Sequence, residues 1–119
     1  MTAKPLNVQI FGRRDCPITR KAERWFKERS LPFQFIDLKI KGLSPRELEA
    51  VSRPLGGAEK LLDRECNRFK AKGLAFMSPS RTTAVLLEDP LLLRTPIVRN
   101  GSSATLGYCP EIWEAWRVS

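Results

Sequence analysis

Histidine is absent from the 119 residues of this chain, and no Cys-x-x-Cys pair occurs in it. The first absence excludes a Ser–His or Cys–His catalytic dyad and any zinc site built on imidazole. The second leaves no pair of thiols that could close within one helical turn. Cysteine itself is scarce: Cys16, Cys66 and Cys109 are odd in number and widely spaced. That is not a disulfide framework, and it fits a reducing compartment. Three such cysteines lack the close ligand pairs of a metal site, so no metal is expected. No apolar run approaches the roughly 20 residues of a membrane-spanning helix. No apolar signal segment follows Met1-Thr2-Ala3-Lys4-Pro5. The expectation is a cytoplasmic protein with no membrane partner. Repeats, low-complexity tracts and linkers are missing too, so residues 1–119 read as a single domain.

Charge of one sign dominates. Lys and Arg number 21 against 13 Asp and Glu, a formal net charge of +8. Such a balance favours anionic partners: acidic protein surfaces, glutathione, an oxyanion or nucleic acid. The basic residues are scattered among acidic ones rather than massed, which argues against direct DNA binding.

Asn7 to Phe11 reads as a short buried strand. From Pro17 the apolar positions Ile18, Ala22, Trp25 and Phe26, with the stem of Arg29, recur at helical spacing, and the helix should stop near Ser30 ahead of Leu31-Pro32. Phe33 to Leu38 alternates as a second strand, with Phe33 and Phe35 on one face and Gln34, Ile36 and Leu38 on the other. Strand, helix, strand at this spacing predicts a parallel pair. Ser44-Pro45-Arg46-Glu47 is a capping box opening a helix with Leu48 and Val51 inward, ended by Pro54 and Gly56-Gly57. Ala58 to Lys72 reads as one further helix closed by Gly73, and Thr82 to Glu88 as a short one. Residues 43–93 thus form a helical insert. Pro96 to Arg99, the Asn100-Gly101 turn and Ala104 to Gly107 predict a β-hairpin. A last helix from Pro110 carries Ile112, Trp113 and Trp116. The expected fold is α/β: a mixed four-stranded sheet flanked by helices, in the element order of the thioredoxin fold.

Cys16 is the candidate reactive residue. Proline is favoured at the first helical position, so Pro17 puts Cys16 at the N-cap of the first helix. There the thiol meets unpaired backbone N–H groups and the positive end of the helix dipole, which favour a thiolate. Arg13, Arg14, Arg20 and Lys21 add positive charge and Asp15 removes some. The residues alone leave two readings open, a reactive thiol and an inert buried cysteine that happens to precede a helix.

The chain resembles the arsenate reductase (ArsC)/Spx family of thioredoxin-like proteins. The resemblance rests on Ile10-Phe11-Gly12 and Cys16-x-x-Thr19-Arg20-Lys21-Ala22-x-x-Trp25 at the start. It continues through Leu61-Leu62 and Phe69-x-x-x-Gly73-Leu74, then Leu91-Leu92-Leu93-Arg94-Thr95-Pro96-Ile97-Val98 and Gly107-Tyr108. It implies that Cys16 is the nucleophilic or redox cysteine. Thr19 stands where Spx-type redox switches carry a second cysteine. Its hydroxyl cannot resolve a disulfide, but it can bond the Cys16 sulfur and, with Arg20, stabilise the thiolate. Pro96 matches the cis proline beside the active cysteine, with Thr95 exposed to the ligand. Arg13, Arg14, Arg64, Arg94, Thr95 and Pro96 are the residues expected to bind an anion or glutathione.

The departures from the family pattern are equally specific. Thr95 occupies the place of an arginine that binds the oxyanion, and Arg94 is one residue early. Arg64 is out of step with the insert arginine, and Gly107-Tyr108-Cys109 has no arginine at all. The pattern argues against arsenate reduction proper. The resemblance implies a monothiol oxidoreductase that uses glutathione or glutaredoxin as co-substrate and holds no bound cofactor. The other implied activity is that of an Spx-like transcriptional regulator binding the RNA polymerase alpha subunit. Cys66 and Cys109 read as packing residues, with resolution of a Cys16 disulfide as their alternative role.

Overall fold

Why each strand pairs as it does follows from its alternation. The computed structural model describes residues 6–74 and 77–118; the reading of Met1–Pro5 as free of a signal segment lies outside them. Strand β1 (Val8–Gly12) turns Val8 and Ile10 to one face of the sheet and Phe11 to the other. It pairs in parallel with β2 (Phe33–Asp37), Val8 beside Phe33, and antiparallel with β3 (Ile97–Asn100), Ile10 beside Val98. A tight turn at Gly101-Ser102, one residue later than the expected Asn100-Gly101, returns the chain in β4 (Ser103–Leu106), with Asn100 beside Ser103. The strand order is β2-β1-β3-β4, the mixed four-stranded sheet that the sequence predicts.

Two cores form on its two faces. On one, helix α1 (Pro17–Glu28) and helix α5 (Pro110–Val118) cover Val8, Ile10 and Val98 with Ala22, Trp25, Phe26 and Trp113. Trp113 is fully buried, its ring 5.4 Å from Trp25, and its indole N–H donates to Thr105 Oγ1 at 2.8 Å. That bond satisfies a polar group that would be costly to bury alone. On the other face the insert packs Leu48, Val51, Leu61, Leu86 and Leu92 on Phe11, Ile36 and Ile97. Helix α1 ends as expected. Ser30 takes φ 55°, and the N–H groups of Leu31 and Ser30 return to the carbonyls of Phe26 and Lys27. This closes the helix with serine in the left-handed position usually held by glycine.

Three expectations need correction. The single helix over Ala58–Lys72 is broken: a 3-10 turn (Ala58–Leu61) and the short helix α3 (Asn67–Ala71) flank an extended step. Leu62 pairs there with Leu93, Asp63 N–H donates to Leu92, and Arg94 N–H donates to Leu61. Backbone bonds to a distant segment outcompete helical ones that sequence periodicity favours locally. Helix α2 (Pro45–Leu55) runs through Pro54 and stops at Gly56, φ 96°, because a proline in the last turn removes only one intrahelical bond. Ile18, expected in the buried stripe of α1, is 47% exposed, and Thr19 takes the inward position. The insert is completed by helix α4 (Thr82–Glu88).

Candidate active site

The loop from β1 to α1 delivers Cys16 to the end of the sheet. Its N–H donates to Arg13 O at 3.1 Å, its backbone is extended (φ −88°, ψ 116°), and Pro17 opens the helix. The Cys16 carbonyl accepts the first helical bond, from Arg20 N–H at 3.1 Å, while its sulfur makes no capping bond. Thr95, 79 residues away, donates from Oγ1 to that sulfur at 3.3 Å. The peptide between Thr95 and Pro96 is cis, and Pro96 is buried at the start of β3.

Burial is the largest influence on the Cys16 thiol and pushes its pKa up. The hydroxyls of Thr19 and Thr95, then the backbone N–H groups of Thr19 and Ile18, together outweigh it and hold the thiol below its ordinary value. Thr19 needs separate treatment. Its Oγ1 lies close enough to favour the thiolate, yet it closes no hydrogen bond of good geometry with the thiol, and the side chain is fully buried. A buried hydroxyl without an acceptor is costly, and the thiolate beside it would supply one. Thr95 therefore has the formed bond, and Thr19 gains one when the proton leaves.

Gly12 was not singled out from sequence as a site residue, although its role is legible in space. A Cβ there would lie 2.6 Å from Thr19 Cγ2 and Oγ1. Only glycine lets the end of β1 approach α1 this closely. The sequence signal was a glycine directly after a buried strand and shortly before the cysteine.

The expected cations are dispersed. Arg20, expected beside the thiolate, is exposed, and its Nη1 donates to Arg14 O at 2.9 Å rather than to the sulfur. A long exposed side chain reaches a nearby loop carbonyl more readily than a buried thiol. Arg14 lies over the Phe35 ring, 4.4 Å from its centroid, and Lys21 over Tyr108. Arg13 Nε sits 3.9 Å from Asp15, whose carboxyl is held below its usual pKa chiefly by the hydrogen bond from Lys39. Arg64 pairs with Glu59 at 2.5 Å, and with Arg94 it lines a separate groove that also takes Asp63 and Glu65. Arg94 lines that groove, whereas its neighbour Thr95 bonds the Cys16 sulfur. The structure thus gathers Cys16, Thr19 and Thr95 and leaves the arginines outside that cluster.

The other thiols are committed elsewhere. Cys66 Sγ donates to Asp63 O at 3.1 Å and accepts from Phe69 N–H at 3.4 Å. Cys109 Sγ donates to Leu106 O at 3.3 Å and packs on the Trp113 side of the sheet. Among the described residues no three cysteine or carboxylate side chains converge as metal ligands. No helix among them is long and apolar enough to cross a membrane.

A model of the ArsC family matches residues 11–116, from the end of β1 to the last helix. This chain belongs to the ArsC family. Among curated relatives, the global transcriptional regulator Spx 2 of Oceanobacillus iheyensis is 26% identical over 87% of this chain and 78% of its own. An uncharacterised protein of Haemophilus influenzae is 23% identical over 91% and 96%. Among solved structures, an arsenate reductase from Vibrio cholerae superposes with a TM-score of 0.79 at 22% identity, covering 92% of this chain and 96% of its own. The fold is accordingly the thioredoxin-like fold of ArsC/Spx proteins. Family members include both arsenate reductases and Spx regulators, so membership alone does not choose between a reaction and a regulatory contact.

Proposed function

We propose that this ArsC family member is a cytoplasmic monothiol oxidoreductase that transfers glutathione through Cys16. The observation that carries the reading is the Cys16 cluster: one sulfur at a helix mouth, a Thr95 hydroxyl bonded to it at 3.3 Å, and a buried Thr19 hydroxyl awaiting an acceptor. The Cys16 thiolate attacks the glutathione sulfur of a mixed disulfide RS–SG. A Cys16–SG bond forms, and RS⁻ leaves and takes a proton from water. The thiolate of free glutathione, or of a glutaredoxin, then attacks the glutathione sulfur on Cys16 and restores the Cys16 thiolate. With glutathione as donor, RS–SG and one glutathione thiol become RS–H and glutathione disulfide. No second cysteine of this chain is needed. Arsenate is disfavoured as substrate, because Arg64 is held by Glu59 and Arg94 shares its groove with the carboxylates of Glu59, Asp63 and Glu65.

The test is the pH dependence of Cys16 alkylation, read by mass spectrometry with and without oxidised glutathione. The expected result is a midpoint below that of an ordinary thiol and one glutathione adduct, on Cys16. An ordinary midpoint with no adduct overturns the reading. Likeness to Spx regulators supports a second reading, a contact with the RNA polymerase alpha subunit. Recovery of that subunit on the immobilised protein, undiminished by Cys16→Ser, would favour it over thiol chemistry.

A further inference from the structure

The ion pairs of this chain are unevenly placed. Arg53 pairs with Glu49, Arg64 with Glu59, Arg68 and Lys72 with Asp89, Arg117 with Glu114, and Lys39 with Asp15. Along α1, among the described residues, pairing is confined to Arg29 and Glu28 at its C-terminal end. Arg14, Arg20, Arg24 and Lys27 line one groove, and among the described residues none of them has a carboxylate partner within ion-pair distance. Helical spacing puts residues 20, 24 and 27 on one stripe that begins at Cys16. From Arg20 to Lys27 the stripe runs about 10 Å along the axis. Uncompensated like charges this close repel one another and gain from a negative partner.

Glu23 makes the groove more specific than a basic patch. Among the described residues it is the one acidic side chain lining the groove, it is mostly buried, and it forms no hydrogen bond or ion pair with the cations around it. A carboxylate only accepts hydrogen bonds. A peptide offers it a backbone N–H donor at nearly every residue, whereas the sugar–phosphate backbone of a DNA strand has none. We infer that the Arg14–Arg20–Arg24–Lys27 groove docks an acidic peptide segment of a protein partner, with its acidic side chains on the four cations and a backbone N–H on Glu23. The inference rests on the Cys16 reading in one respect: the docked segment would flank the glutathionylated cysteine on which Cys16 acts, so the natural substrate is an acidic protein disulfide.

Binding can be tested without the chemistry. The full chain carrying Cys16→Ser is titrated with a fluorescent peptide of six acidic residues flanking a central serine, read by anisotropy. The same peptide with lysines and a single-stranded oligonucleotide of equal charge serve for comparison. The expected result is preference for the acidic peptide, with affinity lowered about tenfold by Arg24→Glu with Lys27→Glu, two surface charges reversed. Arg53→Glu, on α2, should leave it within twofold. Equal loss in Arg53→Glu would mean a net-charge effect and overturn the groove. Tighter binding of the oligonucleotide would overturn the peptide in favour of nucleic acid. No measurable binding of the acidic peptide would overturn the docking surface while leaving glutathione adduct formation on wild-type Cys16 to be judged by itself.

Discussion

Two helix mouths in this protein begin with cysteine, and only one presents a sulfur free for chemistry. At α3 the Cys66 sulfur does the work of a cap: it accepts from Phe69 N–H and donates to Asp63 O. At α1 the Cys16 sulfur makes no capping bond, and the side-chain hydrogen bond formed to it comes from Thr95, 79 residues away. The helices differ as well, five residues against twelve, and a longer run of aligned peptides gives a fuller dipole at its end. An N-cap cysteine is therefore not reactive because it caps. On the proposed function, reactivity comes where the cap leaves the sulfur unspent and neighbouring hydroxyls supply donors for its anion.

The strongest way to break this contrast is to exchange the sulfurs one at a time. Cys16→Ser should lower glutathione transfer by more than about a thousandfold, since a hydroxyl is a far weaker nucleophile at neutral pH. Retained turnover in a coupled glutathione assay would remove Cys16 from the reaction. Next in size is Gly12→Ala, which forces a methyl group against Thr19. It should cost about 1–3 kcal/mol in urea unfolding, as overpacking does, and should raise the midpoint of Cys16 alkylation by shifting the Thr19 hydroxyl. Thr95→Val sharpens the comparison by deleting the donor that Cys66 lacks. It should slow alkylation at neutral pH by about tenfold, the worth of one hydrogen bond to an ion, while leaving Cys66 unaffected.

The α3 mouth makes its own, smaller predictions. Asp89 is mostly buried between Arg68 at 2.6 Å and Lys72 at 3.3 Å. Burial raises its pKa, but the two cations outweigh that and hold it below the usual carboxylate range. A carboxyl depressed in the folded state binds fewer protons there than in the unfolded state. Its stabilisation is thus full above the unfolded pKa and is lost as pH falls through the folded one. Thermal melts should show wild type losing stability toward acid more steeply than Asp89→Asn, and parallel curves would show that this network is not what acid disrupts. The smallest effect is expected for Cys66→Ser. Serine caps at least as well, so stability should stay within about 0.5 kcal/mol and transfer should not change. A loss of transfer there would make Cys66 a resolving thiol.

Much of this was legible in the sequence, for identifiable reasons. The capping box at Ser44–Glu47 forms as its spacing predicts, with Ser44 Oγ accepting from Glu47 N–H and Glu47 closing back on Ser44 N–H. The faces of β2 follow alternation, Phe33 and Phe35 on the α1 side and Ile36 on the insert side. The break between Ala58 and Lys72 was not legible, because it depends on Leu62 meeting Leu93. Nor was the outward turn of Arg20, whose side chain had a nearer acceptor in Arg14 O than in the sulfur.

The sequence by itself determined the order of elements and the place of Cys16 at a helix mouth. Both depend on neighbours a few residues apart: apolar periodicity, capping side chains, and a proline at the first helical position. Tertiary structure decided what the thiol meets there. Thr95 reaches Cys16 because β3 lies beside β1, and Gly12 leaves the room at the end of β1 that the buried Thr19 side chain fills. Local propensity can aim a side chain at the end of a sheet, but only packing of distant segments can set hydrogen-bond donors around it.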